Sequence, residues 1–552
     1  MNSALSDLVL STAQPLASGP LFSAIPTSSL VNPLQPAAPA TTVISVVYSG
    51  DPRKDALIDG ANFRFNDGSP VGSPVRVTYS FPAVLPVTYT DANANGWQPF
   101  SDQQKAAVRD VLTHLQDQVN ITFQEVADGT MRFSNNIQTT SAGYAFFPNA
   151  NSVDLDSDTW IKIGSDSTGV VRGAYGWTTL VHEIGHAIGL NHPGNYNAGE
   201  PTKVVAVGNF LGVNDDTFFN SIMSYRQSAQ SINDIWFMPY DLLTLRYLYG
   251  TKAFATGNNT YSYTDATGLR VDNIVDDGGI DTLDFSALTV GVDVNLTPGA
   301  YSSVGKIASG DKALANLTTS LDATIENVIG SPLADNLLGN AANNRITGGG
   351  GDDTIDGGVG GDTAVFSGVR ASYTVTKGAN NIVVSNNGGP DGTDTLTNVE
   401  RVQFSDIKVA YDSALGQSAG NSVLLLGAVL GNSLLQAKKP LIGTVAELFD
   451  TGIYSTQILA GALMRLPIWG ALANGGAATA TNTQIASYLL TTVNKVAPDA
   501  ATLAAAVTAL DTQVGAAQGT FLGLLAESAS NQVQVGLVGL ATTGIDLGPP
   551  VL

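Results

Sequence analysis

Residues 179–193 contain a dense group of chemically reactive side chains. They read Thr179-Leu-Val-His182-Glu183-Ile-Gly-His186-Ala-Ile-Gly189-Leu-Asn-His192-Pro193. His182 and His186 are four residues apart, so in a helix they project from one face on successive turns and can bind one ion. Glu183 is rotated away from that line, where it can take the proton of a water beside the metal. The segment therefore predicts a helix that carries two metal ligands and a general base.

A third ligand is predicted just beyond the end of this helix. Gly189 can adopt the left-handed conformation that ends a helix at little steric cost. The chain can then turn back and place His192 on the same ion. Three neutral imidazoles leave one position open for water, as in catalytic zinc sites, whereas structural sites fill all four positions with protein ligands. Bound zinc lowers the pKa of water to about 7 and polarises a carbonyl group.

The alternative interpretation is that these histidines are ordinary polar residues near the end of a helix. A bare His-Glu-x-x-His pattern arises by chance, but the added placement of Gly189 and His192 is more restrictive. The chain has only four histidines, and three of them lie in this segment. The fourth, His114, lies in an amphipathic helix expected to begin at Ser101, where it is interpreted as a structural residue.

Composition limits the possible partners. The formal net charge is -22, which argues against nucleic acid, because phosphate binding needs clustered Lys and Arg. The chain has no cysteine, which excludes disulfides and thiolate ligands. The longest apolar run, residues 423–430, is too short to span a bilayer, so no membrane insertion is expected. No N-terminal secretory signal is expected, because the first basic residue is Arg53.

Five regions are predicted along the chain. Residues 1–42 are rich in Ala, Pro, Ser and Thr, which is typical of a flexible leader or propeptide. Residues 43–250 have mixed α/β patterns, and residues 251–368 are β-rich with periodic glycines. Residues 369–412 are a further β-rich extension. Residues 413–552 are rich in Ala and Leu at helical spacing.

A nine-residue period begins at Gly330. The clearest unit reads Gly348-Gly-Gly350-Gly-Asp-Asp353-Thr-Ile-Asp356. These units resemble repeats-in-toxin nonapeptides, which implies a parallel β-roll whose turns bind Ca²⁺ through carbonyl and carboxylate oxygens. The candidate calcium residues are Asp335, Gly348, Gly350, Asp353 and Asp362, and the predicted interior residues are Leu337, Ile346 and Ile355. The alternative is a flexible linker rich in Gly and Asp.

Asn344 replaces the acidic residue of one unit, and the last unit has only the small Ala364 at its apolar position. A short roll with few calcium ions is therefore expected.

The histidine segment resembles the metzincin signature, and Pro193 directly after the third histidine is the form found in serralysins, the secreted bacterial zinc proteases. Four further stretches resemble serralysins in the family's order: residues 143–148, 192–200, 221–225 and 248–250. With the regional patterns, this resemblance predicts an α+β metzincin catalytic domain followed by a parallel β-roll and a C-terminal mostly helical region.

The resemblance also implies roles for individual residues. Met223 would lie in a tight turn beneath the zinc, and Tyr225 would bind zinc at rest and stabilise the oxyanion. Taken alone, residues 221–225 would be interpreted as a turn with an apolar plug. The strand of Tyr144, Ala145 and Phe146 would be an exposed edge to which substrate adds as an antiparallel strand. An earlier calcium loop is implied at Asp276, Gly278 and Asp281.

The predicted protein is a secreted, extracellular bacterial zinc endopeptidase, made as a zymogen, that acts as a monomer on protein or peptide substrates. Zn²⁺ and Ca²⁺ are the expected cofactors. The roll implies export by type I-like secretion machinery that reads an uncleaved C-terminal signal. Residues 413–552 are interpreted as a secretion-related helical module or, alternatively, as a region that attaches to a cell-surface partner.

Two alternatives remain for the whole chain. One is a surface-associated repeat or adhesion protein with a vestigial protease domain, and the other is a processing protease of narrow specificity.

Overall fold

Ser101 begins the first long helix. Its hydroxyl accepts the backbone N–H of Gln104, and the Gln104 side chain accepts the backbone N–H of Ser101. This reciprocal cap satisfies two donors that a helix start otherwise leaves unpaired. The helix runs over Asp102–Gln118 and buries one apolar face, as its sequence pattern predicted.

The computed structural model describes residues 48–58, 63–66, 68–139, 141–148, 155–164, 169–196, 209–226, 233–386, 388–512 and 519–550. The leader predicted over residues 1–42 lies outside them. The described residues form two compact units, the first within residues 35–340 and 349–353 and the second within residues 341–348 and 354–552.

The N-terminal part of the first unit is a mixed α/β structure. Its helices are α1 (Pro52–Asp55), α2 (Asp91–Ala94), α3 (Asp102–Gln118), α4 (Tyr175–Ala187) and α5 (Pro239–Tyr249). Its strands are β1 (Val75–Ser80), β2 (Gln98–Pro99), β3 (Ile121–Glu125), β4 (Met131–Asn136), β5 (Gly143–Ala145) and β6 (Thr159–Lys162).

These strands form one sheet in the order β3-β1-β4-β6-β5, with β2 paired to β4. The pairs β1–β3, β1–β4 and β4–β6 are parallel, whereas β5 runs antiparallel to β6 and is the last strand on its side. The strands and helices enclose one core that includes Phe133, Trp177 and Met223. Helix α4 is buried from Gly176 to Ala187, because one side faces this core and the other holds the histidines.

The rest of the first unit consists of short strands. They are β7 (Thr260–Ser262), β8 (Asp272–Ile274), β9 (Thr282–Asp284), β10 (Asp293–Asn295), β11 (Tyr301–Ser302), β12 (Leu317–Thr319), β13 (Asn327–Ile329) and β14 (Asn336–Leu338). The pairs β7–β9, β9–β13, β10–β14 and β8–β12 are all parallel, and only β11–β12 is antiparallel. This predominance of parallel pairs between three-residue strands matches the predicted roll.

The second unit begins with further strands of the same kind. They are β15 (Arg345–Thr347), β16 (Thr354–Asp356), β17 (Thr363–Val365), β18 (Tyr373–Lys377), β19 (Ile382–Asn386), β20 (Thr393–Thr397), β21 (Arg401–Gln403) and β22 (Lys408–Ala410). Strands β14 to β17 start at residues 336, 345, 354 and 363, so the nine-residue period of the sequence is also the period of the strands. Leu337, Ile346, Ile355 and Ala364 are buried as predicted.

A helical region completes the second unit. It contains α6 (Ser418–Gln436), α7 (Lys439–Asp450), α8 (Thr456–Met464), α9 (Trp469–Ala473), α10 (Asn482–Asn494), α11 (Ala500–Thr512), α12 (Gly519–Glu527), α13 (Ala529–Val535), α14 (Leu537–Thr543) and strand β23 (Ile545–Asp546). Helix α6 has 19 residues, and an 18-residue stretch of it has a mean hydropathy of 1.3, which is enough by length and composition to cross a membrane. In this structure 67% of that stretch is buried inside the protein. The apolar run 423–430 covers only the middle of this helix, and Gly431 directly after the run is non-helical (φ +68°, ψ 161°), so the helix is kinked there.

Candidate metal centre

The end of helix α4 directs the chain towards the third histidine. Gly189 has a φ of +106°, and a Cβ there would lie 2.3 Å from the carbonyl oxygen of Phe63, so only glycine fits. The N–H of Leu190 then bonds back to the carbonyl of Gly185 at 2.9 Å. This turn brings His192 alongside the histidines of α4.

The three imidazoles meet at their Nε2 atoms. The Nε2 atom of His192 lies 3.3 Å from that of His182 and 3.1 Å from that of His186. Three nitrogens on one zinc ion with bonds of 2.0–2.1 Å are separated by about 3.3–3.4 Å in a tetrahedral arrangement. The observed spacing is therefore close to that of a shared zinc ligand set. Within the described residues, this is the one group of three His, Asp or Glu side chains close enough to hold an ion.

Backbone carbonyls orient two of the rings. His182 Nδ1 donates to the carbonyl of Ile222, and His186 Nδ1 donates to that of Leu190, both at 2.8 Å. A carbonyl can only accept, so Nδ1 carries the hydrogen and each Nε2 presents a lone pair. His192 Nε2 can donate to at most one of these two lone pairs. A cation at the common point satisfies all three, and the cluster therefore fits a zinc site.

Burial keeps these groups in the state that metal binding needs. It lowers the pKa of His182 to about 4 and that of His186 to about 3, and it lowers the pKa of His192 well below its ordinary value. All three rings are therefore neutral at pH 7. Burial also raises the pKa of Glu183 to about 8, and its Oε2 atom has no hydrogen-bond partner.

Met223 packs against the helix beneath the histidines. A Cβ on Gly185 would lie 2.5 Å from the Met223 sulfur, so a glycine at that position lets the two segments touch. Asp241 anchors this turn, because it accepts the Ser221 hydroxyl at 2.6 Å and the Ile222 N–H at 2.8 Å. The carbonyl that orients His182 therefore belongs to an anchored turn.

Glu183 and Tyr225 flank the histidines. The Tyr225 ring lies 4.5 Å from that of His192 and 5.6 Å from that of His182. Glu183 lies against the edge strand, since a Cβ on Gly143 would be 2.8 Å from its Cγ. The structure thus places the predicted base and the predicted oxyanion donor around the same cluster.

The predicted substrate strand lies at the edge of the sheet. Tyr144 and Ala145 belong to β5, and Phe146 follows it with its N–H bonded to the carbonyl of Asp158. The Tyr144 ring stacks on Trp160 at 4.9 Å. His114 lies outside the cluster, where its ring packs on Trp236 at 4.2 Å.

The early calcium loop places two carboxylates close together. Asp276 accepts the N–H of Gly278 and the hydroxyl of Tyr261. Asp281 accepts the N–H of Asn259 through Oδ1, while its fully buried Oδ2 has no partner. Burial, with the charge of Asp281, raises the pKa of Asp276.

The nonapeptide candidates use their carboxylates differently. Asp335 accepts from the Ser331 N–H, the Ser331 hydroxyl and the Val292 N–H. Asp353 accepts the N–H of Asp335 at 2.9 Å.

In the second unit, Asp362 accepts the N–H of Asn344 through Oδ1, and its Oδ2 has no partner. Gly348 is buried in that unit, while Gly350 in the first unit donates to the carbonyl of Ser331. Main-chain oxygens would have to complete any calcium site here.

Four residues of the site were not singled out from the sequence: Gly185, Tyr196, Asp216 and Asp241. Two of them had a signal: Gly185 lies in the histidine segment 179–193, and Tyr196 lies in the stretch 192–200 that resembles serralysins. Residues 197–200 of that stretch lie outside the described residues.

Two family models match the chain in succession. One for metallo-peptidase family M12 matches residues 61–236, and one for the peptidase M10 serralysin C terminal matches residues 243–417. The first match contains the histidine cluster, and the second covers most of the short-strand region.

Curated relatives agree with both matches. The chain is 31% identical to metallopeptidase AprA of Pseudomonas marginalis over 50% of this chain and 61% of that protein. It is 29% identical to metalloprotease AprA of Pseudomonas entomophila (strain L48) over 55% and 70%, and 29% identical to serralysin of Proteus mirabilis over 47% and 58%. The match thus spans 58–70% of the length of these relatives. By these successive matches and the histidine cluster, residues 61–417 are similar to the serralysins and fit the metzincin type of zinc site.

Proposed function

We propose that this protein is a secreted zinc endopeptidase that hydrolyses peptide bonds in protein or peptide substrates. The observation that carries the proposal is the meeting of three imidazoles, with His192 Nε2 3.3 Å from that of His182 and 3.1 Å from that of His186, beside a buried carboxylate with a free oxygen. Zinc held by His182, His186 and His192 would supply a Lewis acid for the carbonyl and the attacking water.

Glu183 holds and moves the proton in this proposal. Its free Oε2 can accept a proton from water and return it to the leaving amine nitrogen. Burial raises its pKa to about 8, and a nearby divalent cation opposes that shift by favouring the carboxylate. Because Glu183 lies against Gly143, the proton carrier faces the edge strand.

Tyr225 is the proposed hydrogen-bond donor to the oxyanion. Burial and the charge of Glu183 raise the pKa of its hydroxyl, so the hydroxyl keeps its proton and can donate. A donor fixed where negative charge develops lowers the barrier without reorganisation during the reaction.

Strand β5 is the proposed substrate platform. It is the last strand on its side of the sheet, so its outer backbone groups can pair with an extended peptide. Main-chain pairing reads the substrate backbone rather than its side chains. We therefore expect broad specificity for peptides that can adopt an extended conformation.

The proposal also includes calcium and export. The carboxylates of Asp276 and Asp281 and the glycine turns of the repeats offer the hard oxygen ligands that Ca²⁺ prefers. Low cytosolic calcium would leave the roll unfolded until a type I-like secretion system has exported the chain. The monomeric state, and activation by removal of a leader within residues 1–42, belong to the same proposal.

The decisive experiment compares Glu183→Gln with wild type on casein. The variant should keep the zinc content of wild type but lose activity by about 10³-fold, since it cannot move the proton. Glu125→Gln is the matched control, because Glu125 pairs with Arg109 on the surface and should leave activity unchanged. Native-rate cleavage by Glu183→Gln, or no activity in zinc-loaded wild type, would contradict the proposal.

A further inference from the structure

Tyr196 lies between a proposed zinc ligand and the proposed oxyanion donor. Its ring is 5.8 Å from that of His192 and 5.0 Å from that of Tyr225, with which it stacks at an interplanar angle of 25°. Its hydroxyl oxygen accepts the backbone N–H of Tyr225 at 3.0 Å. Tyr196 therefore restrains both the ring and the backbone of Tyr225.

A buried carboxylate, Asp216, holds Tyr196 and both sequence neighbours of Tyr225. Its Oδ1 atom accepts the Tyr196 hydroxyl at 2.9 Å and the Ser224 hydroxyl at 2.7 Å. Its Oδ2 atom accepts Nε of Arg226 at 3.1 Å. Asp216 is only 2% exposed, so these charge-assisted bonds are weakly screened. One carboxylate thus fixes the segment on either side of the oxyanion donor.

A glycine makes this close arrangement possible. A Cβ on Gly194 would lie 2.0 Å from Cε1 of Tyr196 and 2.4 Å from Oδ2 of Asp216. No side chain fits between them, so glycine is required for the close approach of the two residues. Gly194 follows His192 by two positions, which links the third histidine to the same group of contacts.

We propose that Tyr196 and Asp216 are positioning residues for catalysis, holding the Tyr225 hydroxyl where the oxyanion develops. The proposal rests on the proposed peptidase function. Tyr196 acts through Tyr225 and need not contact the substrate. An oxyanion donor contributes most when its geometry is already set before the reaction, so loss of this support should lower kcat and leave KM nearly unchanged.

Tyr196→Phe is the primary test, because it keeps the stacked ring and removes only the hydroxyl. It deletes the bond from the Tyr225 N–H, the bond to Asp216 and the long contact of 3.4 Å with the Ser224 hydroxyl. We expect kcat to fall about tenfold, since small misplacements of reacting groups are costly. The matched control is Tyr79→Phe, which removes another tyrosine bond to a carboxylate, that to Glu125. It should leave kcat and KM unchanged.

A double-mutant cycle separates positioning from a general structural effect. If Tyr196 acts through the Tyr225 hydroxyl, Tyr196→Phe should cause no further loss in a Tyr225→Phe background. An equal loss in both backgrounds would overturn the proposal, as would an unchanged kcat in the single variant. The cycle uses the residual activity of Tyr225→Phe.

Amide hydrogen exchange gives a second readout, made on the metal-free protein. The Tyr225 N–H is bonded to the Tyr196 hydroxyl, so exchange in a peptide covering residue 225 should be about tenfold faster in Tyr196→Phe. Unchanged exchange would contradict the contact itself. Asp216→Asn should act in the same direction, but Tyr196→Phe carries the test because Asp216→Asn could also impair folding.

The outcome is distinguishable from failure of the proposed function. If zinc-loaded wild type has no peptidase activity, the peptidase proposal fails, and the positioning role fails with it even if exchange shows that the contact exists. If wild type is active and chelator-sensitive, while Tyr196→Phe is as active as wild type, only the positioning role fails.

Discussion

The three-histidine cluster and the acidic loop around Asp281 lie in one unit but offer a metal different kinds of support. The histidines converge as side chains, with His192 Nε2 3.3 Å from that of His182 and 3.1 Å from that of His186. In the loop, Asp276 and Asp281 also bond to main-chain N–H groups, and no third acidic side chain joins them within ligand distance among the described residues. A cation there depends on main-chain oxygens.

The two sites should therefore respond differently to substitution. A convergent side-chain site needs every ligand, so one substitution should abolish it. A site built largely from main-chain oxygens depends on the backbone turn, so one carboxylate should change its affinity only in part.

The largest effect is expected from His192→Gln. Removing one of three side-chain ligands should weaken zinc binding by at least about 10²-fold, and activity should fall with it. Zinc content by mass spectrometry and casein cleavage measure the two effects. His114→Gln is the control and should behave as wild type. Full zinc retention by His192→Gln would show that the cluster does not converge on one ion.

Calcium removal tests whether the short-strand region needs a bound cation to fold. Treatment with EDTA followed by zinc alone should leave the short-strand region disordered, and added Ca²⁺ should restore it, because the turns need a cation to neutralise their carboxylates. Far-UV circular dichroism reports the change. A spectrum that does not depend on calcium would count against calcium binding in the roll.

Substitution of Asp281 tests how strongly the acidic loop depends on one carboxylate. Asp281→Asn should raise the calcium concentration at half-maximal refolding by about tenfold without abolishing refolding. Asp311→Asn alters an exposed carboxylate and should leave the midpoint unchanged. Complete loss of refolding in Asp281→Asn would mean that this loop depends on side chains as strictly as the histidine cluster does.

The turn that delivers His192 should be sensitive to a single methyl group. Gly189→Ala meets both a positive φ and a carbonyl oxygen 2.3 Å away, so the free energy of unfolding should fall by about 3 kcal/mol. Gly212→Ala is the control, since no atom lies within 4 Å of its Cβ position. Denaturant unfolding of both variants measures the difference.

The anchor of the methionine turn should have a smaller effect. Asp241→Asn replaces one of two accepting oxygens with a donor. At Oδ2 this removes the bonds from the N–H groups of Ile222 and Met238, and at Oδ1 it removes the acceptor of the Ser221 hydroxyl. The free energy of unfolding should fall by about 2 kcal/mol. Asp110→Asn, on an exposed face of α3, should change stability little. Equal stability of both variants would show that Asp241 is not the anchor.

Local patterns predicted much of this molecule. The cap at Ser101, the helix behind it and the nine-residue spacing of strands β14 to β17 are confirmed. Each depends on neighbouring residues in the chain, where hydrogen-bond reach and side-chain periodicity act directly. The helix at Ser418–Gln436 is the exception, because it begins five residues before its apolar run and is interrupted by the non-helical Gly431 (φ +68°) directly after that run.

The contacts that support the candidate site could not be predicted in this way. Gly185 meets Met223, and Asp216 meets Tyr196, across gaps of 38 and 20 residues. Neither pair has a sequence pattern of its own, since glycine and aspartate are common in turns. The calcium residues and the substrate strand stay predictions.

The residues that can serve as ligands and base follow from the local sequence, because a four-residue helical spacing and one glycine restrict where His182, His186 and His192 can point. Their orientation comes from contacts made on folding: the carbonyls of Ile222 and Leu190, the turn anchored by Asp241, and the Asp216–Tyr196 contact beside Tyr225. Ligand identity follows from local geometry, whereas orientation depends on packing between segments that are distant in the chain.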